Sequence, residues 1–261
     1  MDERTNTRAG SPDRIRALGD LVSDQAGVAS REQFYELGFT RAQLRAQCAA
    51  RRWQTVGRQS FAVHTGPLTT EALHWAAVFE AGPRAQLDGA SSLLAHGLTG
   101  FIPERVRVSV PRGARIRRRR TRHLDIRETR RFRSDDGQVS GVPRTRPATA
   151  AVRGALWART DREASLLMTM SVQQGLCTPE QLGVELLRIR RDKRRRFLND
   201  LVIDLAGGIR SLAELDGFVV DVQFSRQGRS IDVTRPEEKR VIPAQPQDTL
   251  LKRAKVCMKQ K

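Results

Sequence analysis

GFTRAQLRAQCAARRWQTVGRQSFAV, residues 38–63, is the stretch on which the fold turns. It reads as a tight turn at Gly38, a short basic helix opened by Thr40, a tryptophan, and an alternating ending. Thr40 has the side chain of an N-cap. Leu44 and Cys48, four residues apart, share one helical face. Ala42, Ala46 and Ala49 fall toward the opposite face, with Gln43 and Arg45 flanking them. "WQTVGRQSFAV" alternates apolar and polar residues about Gly57, the pattern of a small hairpin. Upstream, Ile15, Leu18, Leu21 and Val22 recur at helical spacing from Asp13 toward Gly27. Ser30 is placed to cap a second short helix that carries Phe34 and Leu37 and closes at Gly38. Three short helices followed by a hairpin is the layout of a winged helix-turn-helix, expected here over residues 13–65.

Such a layout assigns roles. Small alanines let a helix approach a surface closely, while Arg and Gln carry the donors that read guanine and adenine edges. The expected DNA contacts are Thr40, Arg41, Gln43, Arg45 and Gln47 from the helix, with Arg58 reaching a phosphate or minor groove from the hairpin. An ordinary amphipathic helix with a solvated basic face has the same periodicity, which alone does not separate the two.

Charge leans toward the first reading. The 261 residues carry 47 Lys and Arg against 29 Asp and Glu, a net charge of +18. An excess of that size attracts polyanions and steers their approach. Apolar residues make up 39% of the chain, and no run of eighteen exists from which to build a membrane span. The charged start, Met1-Asp2-Glu3-Arg4, lacks the apolar core of a secretion signal. Cys48, Cys177 and Cys257 lie far apart in sequence, which fits a reducing cytoplasm rather than a disulfide scaffold.

Beyond the hairpin the pattern predicts helices at 70–80 and 89–95, the latter capped by the Ser91-Ser92 region. "RVRVSV" (105–110) and "HLDIRET" (123–129) read as strands that pair. The basic stretch "RIRRRRTR" lies between them. "GVPRTRPATAAVRGALWA" leads into a helix with Ala151, Leu156 and Trp157 apolar. A helix bearing Leu166, Leu167 and Met170 follows, then a helix start at Thr178-Pro179-Glu180-Gln181, with Pro in the first turn. "RIRRDKRRR" (188–196) is a second basic block, expected on a helix that breaks at Gly207-Gly208. Both basic blocks fit either a phosphate backbone or a solvated surface. "GFVVDVQFSRQGRS" and "IDVTRPEEKRVI" are candidate strands. Five of the six lysines fall in the last 23 residues, a shift that suggests a terminus of different origin.

Catalytic signals are poor. The sequence has no Walker loop, no GxGxxG and no His-Glu-x-x-His. His64, His74, His96 and His123 lack metal-ligand spacing and read as structural.

The ordered set "LVSDQAGVASREQFYELGFTRAQLRAQCAARRWQTVGRQSFAV", "GPLTTEALHWAAVFEAGPRAQLDGASSLLAHGL", "VRVSVPRGARIRR" and "GVPRTRPATAAV" resembles the AbiEi family of type IV antitoxins. It looks still more like actinobacterial proteins that join an AbiEi-like winged helix to a C-terminal Vsr-like endonuclease domain. The resemblance spans residues 15–216. It implies a DNA-binding antitoxin that represses its own promoter, commonly at inverted repeats. The partner implied is a nucleotidyltransferase toxin, neutralised without a stable complex. In the Vsr-like part, Glu214 in "SLAELD" matches an acidic residue of the family and Asp232 stands for its Asp. The later acidic pair that would complete a Mg²⁺ site is missing, since "RVIPAQPQD" offers only Asp248.

The expectation is therefore an α+β chain: a winged helix-turn-helix at 13–65, an AbiEi-like middle domain at 66–185, a degenerate Vsr-like segment at 186–242, and a tail at 243–261. It would bind double-stranded DNA as a cytoplasmic repressor, without metal or cofactor and without catalysis. Inverted-repeat operators imply a homodimer on DNA, although no dimerisation heptad is visible. The alternatives are a Mg²⁺-dependent endonuclease and a protein-interaction module for a toxin.

Overall fold

A computed structural model describes residues 11–114, 123–130, 132, 137–138, 141–213, 219–225 and 228–234. The architecture is α+β, with small sheets among the helices. The chain forms two compact units, residues 1–153 and 154–261. No helix among the described residues is long and apolar enough to cross a membrane.

The first unit opens with α1 (Ser11–Ser23), β1 (Val28–Ser30), α2 (Arg31–Glu36), α3 (Arg41–Ala49), β2 (Gln54–Thr55) and β3 (Ser60–Ala62). The strands form an antiparallel sheet in the order β1-β3-β2. That order of helices and strands follows the layout of three short helices and a hairpin expected over residues 13–65. β1 is an addition to the sequence reading, because three residues, Val-Ala-Ser, are too few to display a period of two.

Beneath this layer lies an aromatic core. Phe34 is fully buried and packs edge-on against Phe39 and Phe61, with Trp53 at 5.1 Å between ring centres. Leu18, Val22 and Leu44 complete it from α1 and α3.

The unit continues with α4 (Thr70–Ala81), β4 (Gln86–Leu87), α5 (Gly89–Ala95), β5 (Val106–Pro111), β6 (Leu124–Thr129), β7 (Gly137–Gln138) and β8 (Arg144–Thr145). Its sheet runs β6-β5-β4-β8-β7. β5 and β6 pair as expected, and they do so in parallel, Val106 opposite Leu124 through Pro111 opposite Thr129. The "RIRRRRTR" stretch lies outside the described residues. A second apolar cluster joins this sheet to the first one: Val28 and Ala62 pack with Trp75, Leu87, Val108 and Ile126.

α5 is capped by Asp88, not by Ser91-Ser92; both serines lie fully buried inside the helix. Asp88 accepts from the Gly89 N–H (2.8 Å), Ser109 Oγ (2.5 Å), Thr145 Oγ1 (3.2 Å) and Arg153 Nη1 (3.1 Å). A carboxylate with no exposure is tolerable only with such a set of donors.

The unit boundary falls within α6 (Pro147–Trp157). The second unit contains α7 (Asp161–Gln173), α8 (Pro179–Leu187), α9 (Arg195–Ala213), β9 (Val219–Ser225) and β10 (Gly228–Thr234). On α7 the buried face is Ala164, Leu167, Met168 and Ser171, whereas Leu166 is 45% exposed. Thr178 and Gln181 form a capping box with Pro179 at the first turn.

α9 runs through Gly207-Gly208 without the expected break. Glycine costs a helix about 1 kcal/mol per residue but retains its N–H. The Leu198, Leu201, Val202 and Leu205 stripe, buried in the preceding turns, outweighs that cost. The 188–196 block is the α8–α9 connection rather than part of a helix, with only its last two residues entering α9. β9 and β10 form an antiparallel hairpin in which Asp232 opposes Asp221.

Candidate nucleic-acid interface

The angle between α2 and α3 is set by three consecutive residues. Past the C-cap Leu37, Gly38 adopts φ +80°, and its N–H donates to the Tyr35 carbonyl. The Phe39 N–H reaches back to the Phe34 carbonyl, and the two rings meet at 5.8 Å. This is a Schellman closure with its hydrophobic contact, and a residue other than glycine is strained at that φ. Thr40 then opens α3. Its hydroxyl accepts from the Gln43 N–H (3.2 Å), while Gln43 Oε1 accepts from the Thr40 N–H (2.8 Å). Helix stop and helix start leave no slack between them.

The predicted contact residues separate into two groups. Arg41 and Arg45 are exposed on one flank of α3, beside exposed Ala42, Ala46 and Ala49. Neither arginine makes a hydrogen bond or ion pair among the described residues. Gln43 and Gln47 occupy the other flank, where Gln43 belongs to the cap and Gln47 Oε1 accepts from Arg52 Nε (2.8 Å). With Arg14, Ile15, Phe39 and Trp53 they line a cleft of about 470 Å³ between α1 and α3. Thr40 is exposed and serves the cap.

Arg58 sits exposed on the hairpin turn. Its carbonyl accepts from Arg31 Nη2 (2.8 Å) and Nε (3.2 Å), and the Arg31 guanidinium lies 4.9 Å above the Phe61 ring. On the other side, Glu80 of α4 accepts from the Gln59 N–H (2.5 Å) and Ser60 Oγ (3.0 Å). The wing is thus fastened at its tip from α2 and from α4.

Sequence reasoning missed Arg31, Glu80 and Arg51. Glu80 and the wing lie 20 residues apart, beyond any local pattern. Arg51, exposed just past α3, has φ +52°, a region that carries no mark in the sequence when glycine is absent.

Burial lowers His74 from its ordinary 6.5 to about 4. Burial also lowers His96, helped by nearby Arg144 and opposed by the Thr145 carbonyl 2.9 Å from Nε2. Burial raises the Cys177 thiol to about 12, which makes it a poor nucleophile. Among the described residues no group of three or more His, Cys, Asp or Glu could hold a metal ion. Glu214 and Asp248 lie outside the described residues.

No family model matches the chain, and no curated protein matches it. Among solved structures it is similar to the crystal structure of the Rv2827c protein from Mycobacterium tuberculosis. The two are 16% identical, with a TM-score of 0.45, over 72% of this chain and 76% of that one.

Proposed function

We propose that the chain is a sequence-specific double-stranded-DNA-binding repressor, with α3 entering the major groove and the β2–β3 hairpin acting as its wing. The observation that carries this reading is the outward face of α3. It offers small side chains along its centre and two unengaged guanidinium groups, Arg41 and Arg45, on one flank. Alanines permit close approach, and an arginine at that distance can bind guanine O6 and N7 through two bonds. Arg58 on the wing and Arg51 past the helix supply phosphate contacts that fix register. Gln43 and Gln47 accept within the protein through Oε1, which orients their Nε2 donors on the other flank of α3. The wider setting is a cytoplasmic type IV antitoxin that represses its own promoter. Its toxin would be a nucleotidyltransferase held in no stable complex, and the repressor itself would take no catalytic step.

The test is fluorescence-anisotropy binding to the duplex upstream of the protein's own reading frame and to a shuffled duplex of the same composition, across a salt series. A preference of at least about a thousandfold for the upstream DNA is expected. Arg45→Ala should weaken that binding by about 1–3 kcal/mol while leaving the shuffled duplex nearly unaffected. Equal affinity for both duplexes sinks the repressor reading.

A further inference from the structure

The α8–α9 connection in the second unit pairs heavy charge with a fixed shape. Seven of the nine residues from Arg188 to Arg196 are cationic. Two residues anchor it. Ile189 is 4% exposed, and Arg194 is 8% exposed with every guanidinium nitrogen that bonds directed at protein. Arg194 Nη1 donates to the carbonyls of Ala155 (3.2 Å), Leu156 (3.4 Å) and Ala158, and Nε donates to Asp161 Oδ1 (2.9 Å). It closes the end of α6, where a cation is favoured by the helix dipole.

The ion pairs of Glu185 and Asp161 go to Arg188 and Arg194, not to the outward cations. Asp192 Oδ1 accepts the Arg194 N–H, Asp161 faces Arg194, and Glu185 pairs with Arg188 at 2.5 Å. The first turn of α9 carries no acidic residue. Arg190, Arg191, Lys193 and Arg196 remain, all exposed and without an ion pair among the described residues. Like charges held this close repel one another, and a flexible loop would spread them apart. This connection instead spends a buried arginine on keeping its shape. Rigidity of that kind suits a polyanion with regularly spaced charges.

We infer that this connection is a second contact for the DNA sugar-phosphate backbone, separate from the winged helix and indifferent to sequence. It rests on the DNA-binding reading only in the choice of polyanion. Each phosphate neutralised releases counterions and adds about 0.9 to the slope of log affinity against log salt.

The experiment uses the full chain with Arg190, Arg191, Lys193 and Arg196 all replaced by Gln, assayed beside the wild type on the upstream and shuffled duplexes and on a single-stranded RNA. All four side chains are exposed, so equal melting temperatures verify folding. The expected result is a slope shallower by about 3–4 on both duplexes, with the ratio of their affinities unchanged. A variant slope equal to wild type on both duplexes overturns the inference. So does a change confined to the RNA. Equal wild-type affinity for the two duplexes removes the repressor reading but not this one, which is still read from the slope. Wild-type protein that binds neither duplex at low salt overturns both.

Discussion

Arg51 follows the C-cap of α3 with φ +52°, in a backbone region that costs a side-chain-bearing residue about 1–2 kcal/mol. Glycine fits there without strain, so Arg51→Gly should raise stability in thermal melts, by up to about 1 kcal/mol. If the side chain contacts phosphate, the same substitution weakens DNA binding. Stability and affinity then move in opposite directions, and an arginine of purely structural origin would move only the first. Thr40 makes the contrasting case. Its hydroxyl holds the Gln43 N–H, so Thr40→Ala should cost about 1 kcal/mol in urea unfolding, and on the proposed reading DNA binding should weaken with it, because the start of α3 frays. Asp88→Ala is the severest residue-scale change. It removes the carboxylate facing Arg153, Ser109 and Thr145 in a site with no exposure, at a cost of about 3–5 kcal/mol.

Among the elements, the wing depends most on a distant partner. A Cβ at Gly57 would stand 2.3 Å from Glu80 Oε1 and 2.6 Å from its carboxyl carbon. Glu80 can retreat only by releasing the Gln59 N–H and the Ser60 hydroxyl. Gly57→Ala and Glu80→Ala should therefore share a phenotype: faster amide exchange at Gln59 and weaker DNA binding, with α3 intact by circular dichroism. Unchanged exchange at Gln59 in Glu80→Ala would mean that the tether contributes nothing to wing order. This dependence also explains what a linear reading can reach. α2, the Gly38 turn, α3 and its cap were legible because each is fixed by side chains within a few residues. β1, the two-residue strands β4, β7 and β8, and the parallel sense of β5 and β6 exist only through partners far along the chain. Gln43 and Gln47 carry chemistry suited to base reading, and the bonds their Oε1 atoms accept, from the Thr40 N–H and from Arg52 Nε, depend on local geometry that a linear reading does not show. The Ser91-Ser92 cap failed for a related reason: Asp88 three residues earlier takes the role, and both serines turn inward. Asp232 was legible as a strand residue, its place opposite Asp221 being a matter of register.

At the scale of the molecule, acid is expected to act through the buried histidines. The folded state holds His74 near 4 against an ordinary 6.5. Between those values the unfolded chain takes up a proton that the folded chain refuses. Stability from this group is thus complete above pH 6.5 and falls as the pH is lowered toward 4, by up to roughly 3 kcal/mol. His96 adds in the same direction. His74→Leu should flatten the dependence of urea unfolding on pH across that window without abolishing it, and an unaltered slope would place the cause elsewhere.

Val28 and Ala62 belong to the β1-β3-β2 sheet, yet they pack in the same apolar cluster as Trp75, Leu87 and Val108. The first 65 residues are consequently not a cassette. Cutting the gene after the wing would strip the far side of the β1–β3 sheet and sever the Glu80 tether, leaving a fragment with an exposed apolar back. Exchanging the first 65 residues for a winged helix from another protein would leave Val28, Ala62 and the hairpin without the partners that α4 and the larger sheet supply. On the DNA-binding reading we propose, a new target sequence calls for point changes on the outward face of α3, with the scaffold behind it kept whole.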